Sequence, residues 1–330
     1  MARVLITGGM GFIGSHLSHS LTSHDHQVLA YGTIQHYQPP TPTFLENITY
    51  RLSHLLTGTE IVRGSTLDLL SLQSAIQQFS PTHLVHLAAL PLASAALHHT
   101  DEAFDSILRG LFNVLELLKH TDTHLIYISS SMVYGDFAQT PMPESGSTSP
   151  KEIYGTLKLM GELLVRAYSL RFSIPSTIIR PSAVYGPADI NYRVIQIFIE
   201  SATQGRPITV NSDASLDFTY VEDTAQGIEK ALAPSAIDHT FNITYGQGRT
   251  LIDAAVILRR YFSDLIVLQG EEPAYIPKRG TLDNTLARNI LGYSPTYSLE
   301  DGIDAYITYI HSYNRSLHGS CRGHCNLREL

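Results

Sequence analysis

Cysteine, charge and long apolar runs are all scarce in this sequence of 330 residues. Its two cysteines, Cys321 and Cys325, lie near the C-terminus. That position excludes a disulfide framework, so we expect a reducing, cytoplasmic environment. The longest apolar stretch, residues 84–97, contains His86 and Pro91 and is too short to span a bilayer. Because the first residues hold no apolar run of signal-peptide length, we expect neither secretion nor membrane association.

Charged residues make up only 16% of the chain, and their balance is acidic, with 22 Lys and Arg against 30 Asp and Glu. Without a basic run, the chain is not expected to bind nucleic acid or an anionic membrane surface. Hydrophobic residues reach 43%, which excludes a disordered chain and is enough for a sizeable core. The length fits roughly two domains.

Strands and helices alternate over roughly the first 130 residues, which predicts an α/β fold with a doubly wound parallel sheet, a Rossmann fold. Strands are predicted at residues 3–7, 27–31, 60–63, 83–87, 124–128 and 176–180. Helices are predicted at residues 12–22, 69–79, 101–118 and 153–170. The Pro- and Thr-rich segment 33–45 is predicted to be a loop.

The alternation weakens beyond Gly186, and we interpret the remainder as a smaller, partly interleaved α/β lobe. The dinucleotide-binding domain would comprise residues 1–186 and about 217–240. The substrate lobe would comprise residues 187–216 and 241–313, and residues 314–330 would be a polar tail.

Glycines recur where the first strand meets the first helix, in residues 7–14, TGGMGFIG. Gly8 would permit the tight turn, Gly11 would let the backbone approach a pyrophosphate, and Gly14 would let the helix pack closely. The backbone N–H groups near Phe12 and Ile13 would then face the anion. Three glycines alone also occur in ordinary loops, but the strand-to-helix context favours a dinucleotide site.

Tyr154 and Lys158 stand four residues apart on a predicted helix, so both side chains can face one cleft. A nearby ammonium lowers the pKa of a phenol and makes it a usable general base. The same spacing also suits an exposed helix face. Ser130 and Ser131 follow a predicted central strand at its carboxyl end, where doubly wound sheets bind ligands.

Taken together, these motifs resemble the extended short-chain dehydrogenase/reductase superfamily, in its nucleotide-sugar epimerase/dehydratase branch. The resemblance covers most of the chain. It also includes the following segments: residues 86–89 (HLAA), 180–187 (RPSAVYGP), 216–223 (LDFTYVED), 278–281 (KRGT) and 291–295 (LGYSP).

The resemblance implies a role for each matching residue. Tyr154 would be the catalytic base, Lys158 would bind the nicotinamide ribose and tune Tyr154, and Ser130 would assist, with Ser131 as its helper. The cofactor would be held by residues Gly8, Gly11, Phe12, Ile13, Gly14, Gly32, Ala88, Tyr154, Lys158 and Pro181. Arg279 would contact the nucleotide phosphates or ribose, and Arg206 would border the nucleotide base.

The chain departs from the family pattern at the ribose end. NAD-specific members carry an acidic residue at the end of the second strand, where this chain has Gly32, and the usual Gly-Asp after the third strand is Gly64-Ser65. A carboxylate would repel the 2′-phosphate of NADP. The absence of both carboxylates weakens the preference for NAD over NADP. We expect NAD as the cofactor, with NADP possible. The family also usually has arginine where Leu216 stands.

The resemblance implies a nucleotide-sugar 4-epimerase that oxidises the sugar C4 hydroxyl to a transient ketone and reduces it on the opposite face. A dehydratase would need an Asp–Glu pair where Ser131 and Met132 stand. The alternatives are an NADPH-dependent reductase of 4-keto sugar nucleotides and a non-catalytic regulator that senses NAD(P). The expected partners are a nucleoside-diphosphate sugar and a second copy of the chain, as a homodimer.

The sequence contains 16 histidines, which raises the question of a metal site. His318, Cys321, His324 and Cys325 could form a zinc clip, but no scaffold is predicted around them and their spacing is unusual. We therefore expect no metal.

Overall fold

The computed structural model describes residues 1–34, 43–211, 214–271 and 277–320. The strands are β1 (Arg3–Thr7), β2 (Gln27–Gly32), β3 (Glu60–Arg63), β4 (His83–His86), β5 (His124–Ile128), β6 (Ser176–Pro181), β7 (Val184–Tyr185), β8 (Ile208–Val210), β9 (Leu216–Asp217), β10 (Thr219–Tyr220), β11 (Thr240–Ile243), β12 (Gly248–Arg249) and β13 (Val267–Gln269).

The helices are α1 (Phe12–Ser23), α2 (Phe44–Tyr50), α3 (Leu69–Phe79), α4 (Ala93–His98), α5 (Thr100–Phe104), α6 (Gly110–Leu118), α7 (Ile153–Phe172), α8 (Val194–Thr203), α9 (Val221–Lys230), α10 (Leu251–Leu258), α11 (Thr285–Leu291) and α12 (Leu299–Ser320). Two π-helical turns, Arg51–Leu55 and Asp105–Arg109, follow α2 and α5. Two 3₁₀ turns lie at Ser131–Tyr134 and Pro234–Ala236.

Seven parallel strands form the central sheet, in the order β11-β6-β5-β4-β1-β2-β3. The chain winds outward from β1 to β3 on one side and continues through β4 on the other. The order therefore reverses between β1 and β4, and a crevice opens there at the carboxyl ends of the strands. This topology confirms the predicted doubly wound sheet.

Both faces of the sheet are covered around β1, which explains the unbroken apolar run in this strand. Val4, Leu5 and Ile6 are all fully buried, with Val4 and Ile6 in the core on one face and Leu5 in the core on the other. A strand that is buried on both faces has no reason to alternate with polar residues. The short aliphatic run before the glycines is therefore typical of a central strand.

A separate apolar core lies among α8, α10, α12 and β8, beyond the central sheet. It corresponds to the smaller lobe expected from the sequence. However, β11 pairs with β6, so Thr240–Ile243 lies in the large sheet and not with the smaller lobe, to which residues 241–313 were assigned. The division of the chain into two domains stays a prediction.

Three predicted elements differ from the structure. The predicted helix 101–118 is interrupted by the π-helical turn Asp105–Arg109, in which the adjacent Ile107 and Leu108 are both buried. Within the predicted loop 33–45, α2 begins at Phe44, and residues 35–42 lie outside the described part of the chain. Helix α12 extends to Ser320, into the predicted polar tail. The remaining tail residues lie outside the described chain.

Candidate active site

A cleft of about 450 Å³ opens at the carboxyl ends of β1, β4 and β5. The sequence-predicted residues that line it are Gly8, Gly11, Phe12, Ile13, Gly14, Gly32, Ala88, Ser130, Ser131, Tyr154, Lys158, Pro181 and Arg279. Arg206 is not among the described lining residues, because it lies exposed in the turn between α8 and β8. Its assignment to the nucleotide base stays a prediction.

The glycines let the β1–α1 turn pack tightly against itself and against β4. Gly8 has φ +75°, and a Cβ there would lie 2.9 Å from the Ala88 nitrogen. A Cβ on Gly14 would lie 2.3 Å from the Gly8 carbonyl oxygen, and one on Gly11 would lie 2.9 Å from the same oxygen. The Gly11 nitrogen also donates a hydrogen bond to that oxygen. Gly11 is therefore needed for closure of the turn itself, in addition to any approach of a pyrophosphate.

The N-terminus of α1 is suited to an anion. Gly11 provides no side-chain cap, and the first helical turn, beginning at Phe12, contains no acidic residue. Backbone N–H groups at a helix N-terminus attract phosphate because they are unpaired and lie at the positive end of the helix dipole. The close-packed glycine turn and this uncapped helix end therefore fit the pyrophosphate of a dinucleotide.

Tyr154 and Ser130 meet at the centre of the cleft. Tyr154 lies in the first turn of α7, and Ser130 follows β5. The Ser130 side chain lies close enough to the Tyr154 phenol to lower its pKa, and the Ser130 Oγ accepts a hydrogen bond from the Met132 nitrogen at 3.2 Å. Burial raises the pKa of Tyr154, while the Arg193 guanidinium and the Ser130 side chain act in the opposite direction.

Lys158 lies one turn further along α7 and is buried. Its Nζ donates a hydrogen bond to the Ile128 carbonyl at 2.8 Å and lies 5.9 Å from the centroid of the Tyr154 ring. Burial lowers the pKa of Lys158 to about 7, opposed by the carboxylate of Glu162. Arg193 lowers the pKa of Tyr154. That Lys158 tunes Tyr154 stays a prediction.

A buried ion pair between Glu162 and Arg180 links α7 to the central sheet. Glu162 receives hydrogen bonds from Arg180 Nε at 2.8 Å and Nη2 at 2.6 Å, and from the Ser129 hydroxyl at 2.6 Å. Arg180 also donates to the Tyr134 hydroxyl at 2.9 Å. The pair connects β6, α7 and the end of β5, and thereby supports the helix that bears Tyr154.

Two arginines, Arg193 and Arg279, also line the cleft. Arg193 Nη1 bonds to both carboxylate oxygens of Asp189, at 2.7 and 2.8 Å, and its guanidinium lies 5.2 Å from the centroid of the Phe12 ring. The buried Nε of Arg279 has no hydrogen-bond partner in the described chain, and burial lowers its pKa to about 10. The sequence analysis missed Arg193, because it follows an irregular segment whose direction no pattern reveals.

At the end of β2, the structure places Gly32 in the cleft, at the position where NAD-specific relatives carry an acidic residue. Gly32 lines the cleft with Thr33 and Ser65. A Cβ on Gly32 would lie 3.3 Å from the Gly8 backbone, so a side chain is tight there. The Tyr31 hydroxyl donates to the Ser65 carbonyl at 3.0 Å. Gly32, Thr33 and Ser65 therefore present backbone and hydroxyl groups to the cleft, with no carboxylate among the three.

No helix of the described chain is long and apolar enough to cross a bilayer. Within the same residues, no three His, Cys, Asp or Glu side chains are grouped as a metal ion would require. Cys321, His324 and Cys325 of the suggested zinc clip lie outside that part, and no side-chain placement is described for His318.

Comparison with known proteins identifies the family that the chain matches. The sequence profile of the NAD dependent epimerase/dehydratase family matches residues 4–244. An uncharacterised UDP-glucose epimerase of Bacillus subtilis is 31% identical, and the alignment covers 94% of this chain and 98% of that protein. A probable UDP-glucuronate 4-epimerase of Rhizobium meliloti is 26% identical, with 95% and 98% covered.

A solved structure has the same fold. It is the UDP-glucuronic acid 4-epimerase of Bacillus cereus in complex with UDP-glucuronic acid and NAD, and it is similar to this chain with a TM-score of 0.83 and 28% identity. The superposition covers 94% of this chain and 99% of that one. Similarity therefore extends over both lobes and is not limited to the glycine motif.

Proposed function

The chain belongs to the NAD dependent epimerase/dehydratase family, and on that premise we propose that it is a nucleotide-sugar 4-epimerase. The observation that carries the proposal is the meeting of Tyr154 and Ser130 in the same cleft as the uncapped N-terminus of α1. One arrangement thus offers an acid–base group for a sugar hydroxyl and an anion site for a dinucleotide.

We infer the following roles for the residues of the cleft. Tyr154 removes the proton of the sugar 4-hydroxyl and later returns one, and Ser130 orients the reacting oxygen by hydrogen bonding. Lys158 binds the nicotinamide ribose. NAD, when bound along the glycine turn, supplies the acceptor and donor of the C4 hydride. Arg279 has an unpaired buried Nε that suits the substrate diphosphate.

We propose a UDP-sugar bearing a carboxylate as the first substrate to test. The Rhizobium and Bacillus cereus relatives are described as UDP-glucuronate 4-epimerases. In this chain Arg193 lines the same cleft as Tyr154 and lowers its pKa, so its guanidinium would be available to a carboxylate attached next to the reacting carbon. A neutral UDP-glucose is the comparison substrate.

The test begins with purified protein and no added nicotinamide. Denaturation should release NAD, identified by mass spectrometry, and incubation with UDP-glucuronate should produce its C4 epimer, followed by NMR. A protein that is inactive until NADPH is added, and that consumes NADPH in proportion to product, is instead the 4-keto reductase.

Cofactor choice is expected to be less strict than in relatives with a carboxylate at the ribose. Because Gly32 and Ser65 carry no negative charge, NADP should bind with an affinity closer to that of NAD, and Gly32→Asp should shift the preference toward NAD. Binding of both dinucleotides, measured by calorimetry on stripped protein, checks this. A wild-type protein that rejects NADP by several orders of magnitude contradicts it.

We propose that the enzyme works as a homodimer in the cytoplasm, with the contact made through α7. Ile153, Met160, Leu163 and Leu170 are all exposed and lie along one face of this helix. Successive members of this set are seven, three and seven residues apart, which is the spacing of a helix–helix seam, and a second copy offers the same stripe in a two-fold contact. Leu163→Arg should therefore convert a dimer to a monomer in light scattering, whereas Leu70→Arg, at an exposed leucine of α3, should not. A wild-type monomer at micromolar concentration contradicts the dimer.

A further inference from the structure

Three consecutive backbone carbonyls after β7 are each held by a side chain from the N-terminal part of the chain. His16 of α1 bonds to the Pro187 oxygen at 3.0 Å. Arg51 donates to the Ala188 oxygen from Nε at 2.9 Å and from Nη2 at 2.5 Å. Asn47 Nδ2 donates to the Asp189 oxygen at 2.9 Å. We call residues 187–193 the sugar-side loop.

These three side chains are buried, and the backbone that they hold is strained. His16, Asn47 and Arg51 are each at most 5% exposed. Ala188 has φ +63° and Tyr192 has φ +54°, a left-handed conformation that residues with a Cβ adopt only at a cost. The hydrogen bonds to the carbonyls stabilise this shape against relaxation.

The loop conformation determines where Arg193 lies. The Asp189 carboxylate accepts hydrogen bonds from the Asn191 backbone and side-chain nitrogens at 3.1 and 3.0 Å, and it pairs with Arg193. Asn191 and Arg193 both line the cleft. If the loop relaxed, Arg193 would lose its position in the cleft that it shares with Tyr154.

Of the three side chains, Arg51 is the one with a described hydrogen bond to the glycine turn. Its Nη1 donates to the Met10 oxygen at 3.3 Å, in the glycine turn between Gly8 and Gly11. One guanidinium therefore connects the turn that fits the dinucleotide with the loop that presents Arg193 to the sugar.

We propose that Arg51 is a positioning residue that holds the glycine turn and the sugar-side loop in one fixed relation, so that its loss weakens dinucleotide retention and sugar-nucleotide binding together. Asn47 positions the sugar-side loop alone. The part concerning the sugar nucleotide rests on the proposed function, whereas the part concerning the dinucleotide does not.

The experiment compares Arg51→Met, Arg51→Lys and Asn47→Ala with the wild type, and Arg260→Met serves as the control at an exposed arginine. Three quantities are measured: the dissociation rate of NAD from the purified protein, the Kd of UDP by calorimetry, and the KM and kcat for UDP-glucuronate. The loss of charge-assisted hydrogen bonds is expected to change binding by about tenfold or more.

For Arg51→Met we expect faster NAD release, a higher Kd for UDP and a higher KM, each by about tenfold, with a smaller fall in kcat. Arg51→Lys, which cannot reproduce the planar fork, should behave similarly but remain folded. Asn47→Ala should raise the KM and leave NAD release unchanged. The control should match the wild type in every measurement.

Wild-type NAD release and wild-type UDP binding in a folded Arg51→Lys protein, with only a lower Tm, overturn the proposal. So does an Asn47→Ala protein that releases NAD as fast as the Arg51 variants. If the wild type turns over no UDP-sugar, the proposed function fails, and NAD release still tests the role of Arg51.

Discussion

Replacing Tyr154 by phenylalanine is expected to lower kcat for the UDP-sugar by about 10²–10⁴-fold, the usual contribution of a positioned general base. The substitution removes one oxygen from a side chain whose ring remains packed in the cleft. Sugar-nucleotide binding should therefore change little, because the lost group acts mainly in the transition state. Steady-state kinetics and calorimetric binding of the same protein separate the two effects.

The matched control is Tyr261→Phe, at an exposed tyrosine whose hydroxyl donates to Asp304. It should retain wild-type kcat. Ser130→Ala should cost less than Tyr154→Phe, because Ser131 or a water can replace part of its hydrogen bond. Near-wild-type turnover in Tyr154→Phe would refute the mechanism, even if the family assignment stands.

Because burial raises the pKa of Tyr154, the reactive phenolate and the activity should both increase as the pH rises from neutral. Arg193 lowers that pKa, so Arg193→Met should move the rising limb of the pH profile to higher pH. The profile of kcat/KM against pH measures this shift for the free enzyme.

Replacing Glu162 by glutamine is expected to lower the free energy of unfolding by about 3–5 kcal/mol, because the buried Arg180 would lose its counter-charge. Glu162 is 1% exposed and Arg180 is 3% exposed, so water cannot replace the lost partner. Thermal unfolding should show a fall in Tm of roughly 5–15 °C. Lys158 would also lose the carboxylate that raises its pKa, and its ammonium form would be less populated at neutral pH.

Glu116→Gln is the matched control, since Glu116 is a partly exposed carboxylate paired with Lys119 on the protein surface. Its Tm should change little, because water and salt already screen the pair. The double variant Glu162→Met/Arg180→Met should be less destabilised than the sum of its single variants, because it leaves no buried charge unpaired. Additive effects would show that the two side chains do not depend on each other.

Local sequence patterns alone were enough to predict the first strand, the turn after it and the start of the first helix. The strand 3–7, the glycines at 8, 11 and 14, and the helix that starts at Phe12 all lie where the sequence predicted them. Such a unit is readable because a buried aliphatic run, a tight turn and a helix start each constrain neighbouring residues. The i, i+4 spacing likewise placed Tyr154 and Lys158 on one face of α7.

Other elements of the fold depend on contacts between distant parts of the chain, which local sequence patterns do not predict. Short strands such as Thr240–Ile243 are defined by their partner in the sheet, here β6, and not by periodicity. The sequence analysis did not predict the short helix α2, because this helix follows a segment rich in proline.

The sequence by itself therefore determined the doubly wound sheet and the glycine turn, and it predicted which residues act as acid and base. Only the tertiary structure decided that Arg193 lowers the pKa of Tyr154, and how Arg51 connects Met10 with Ala188 across more than a hundred residues of chain. The reason is physical. A helix face or a tight turn depends on neighbours in sequence, whereas the direction of an arginine and the pKa of a buried phenol depend on groups that come together only when the whole chain has packed.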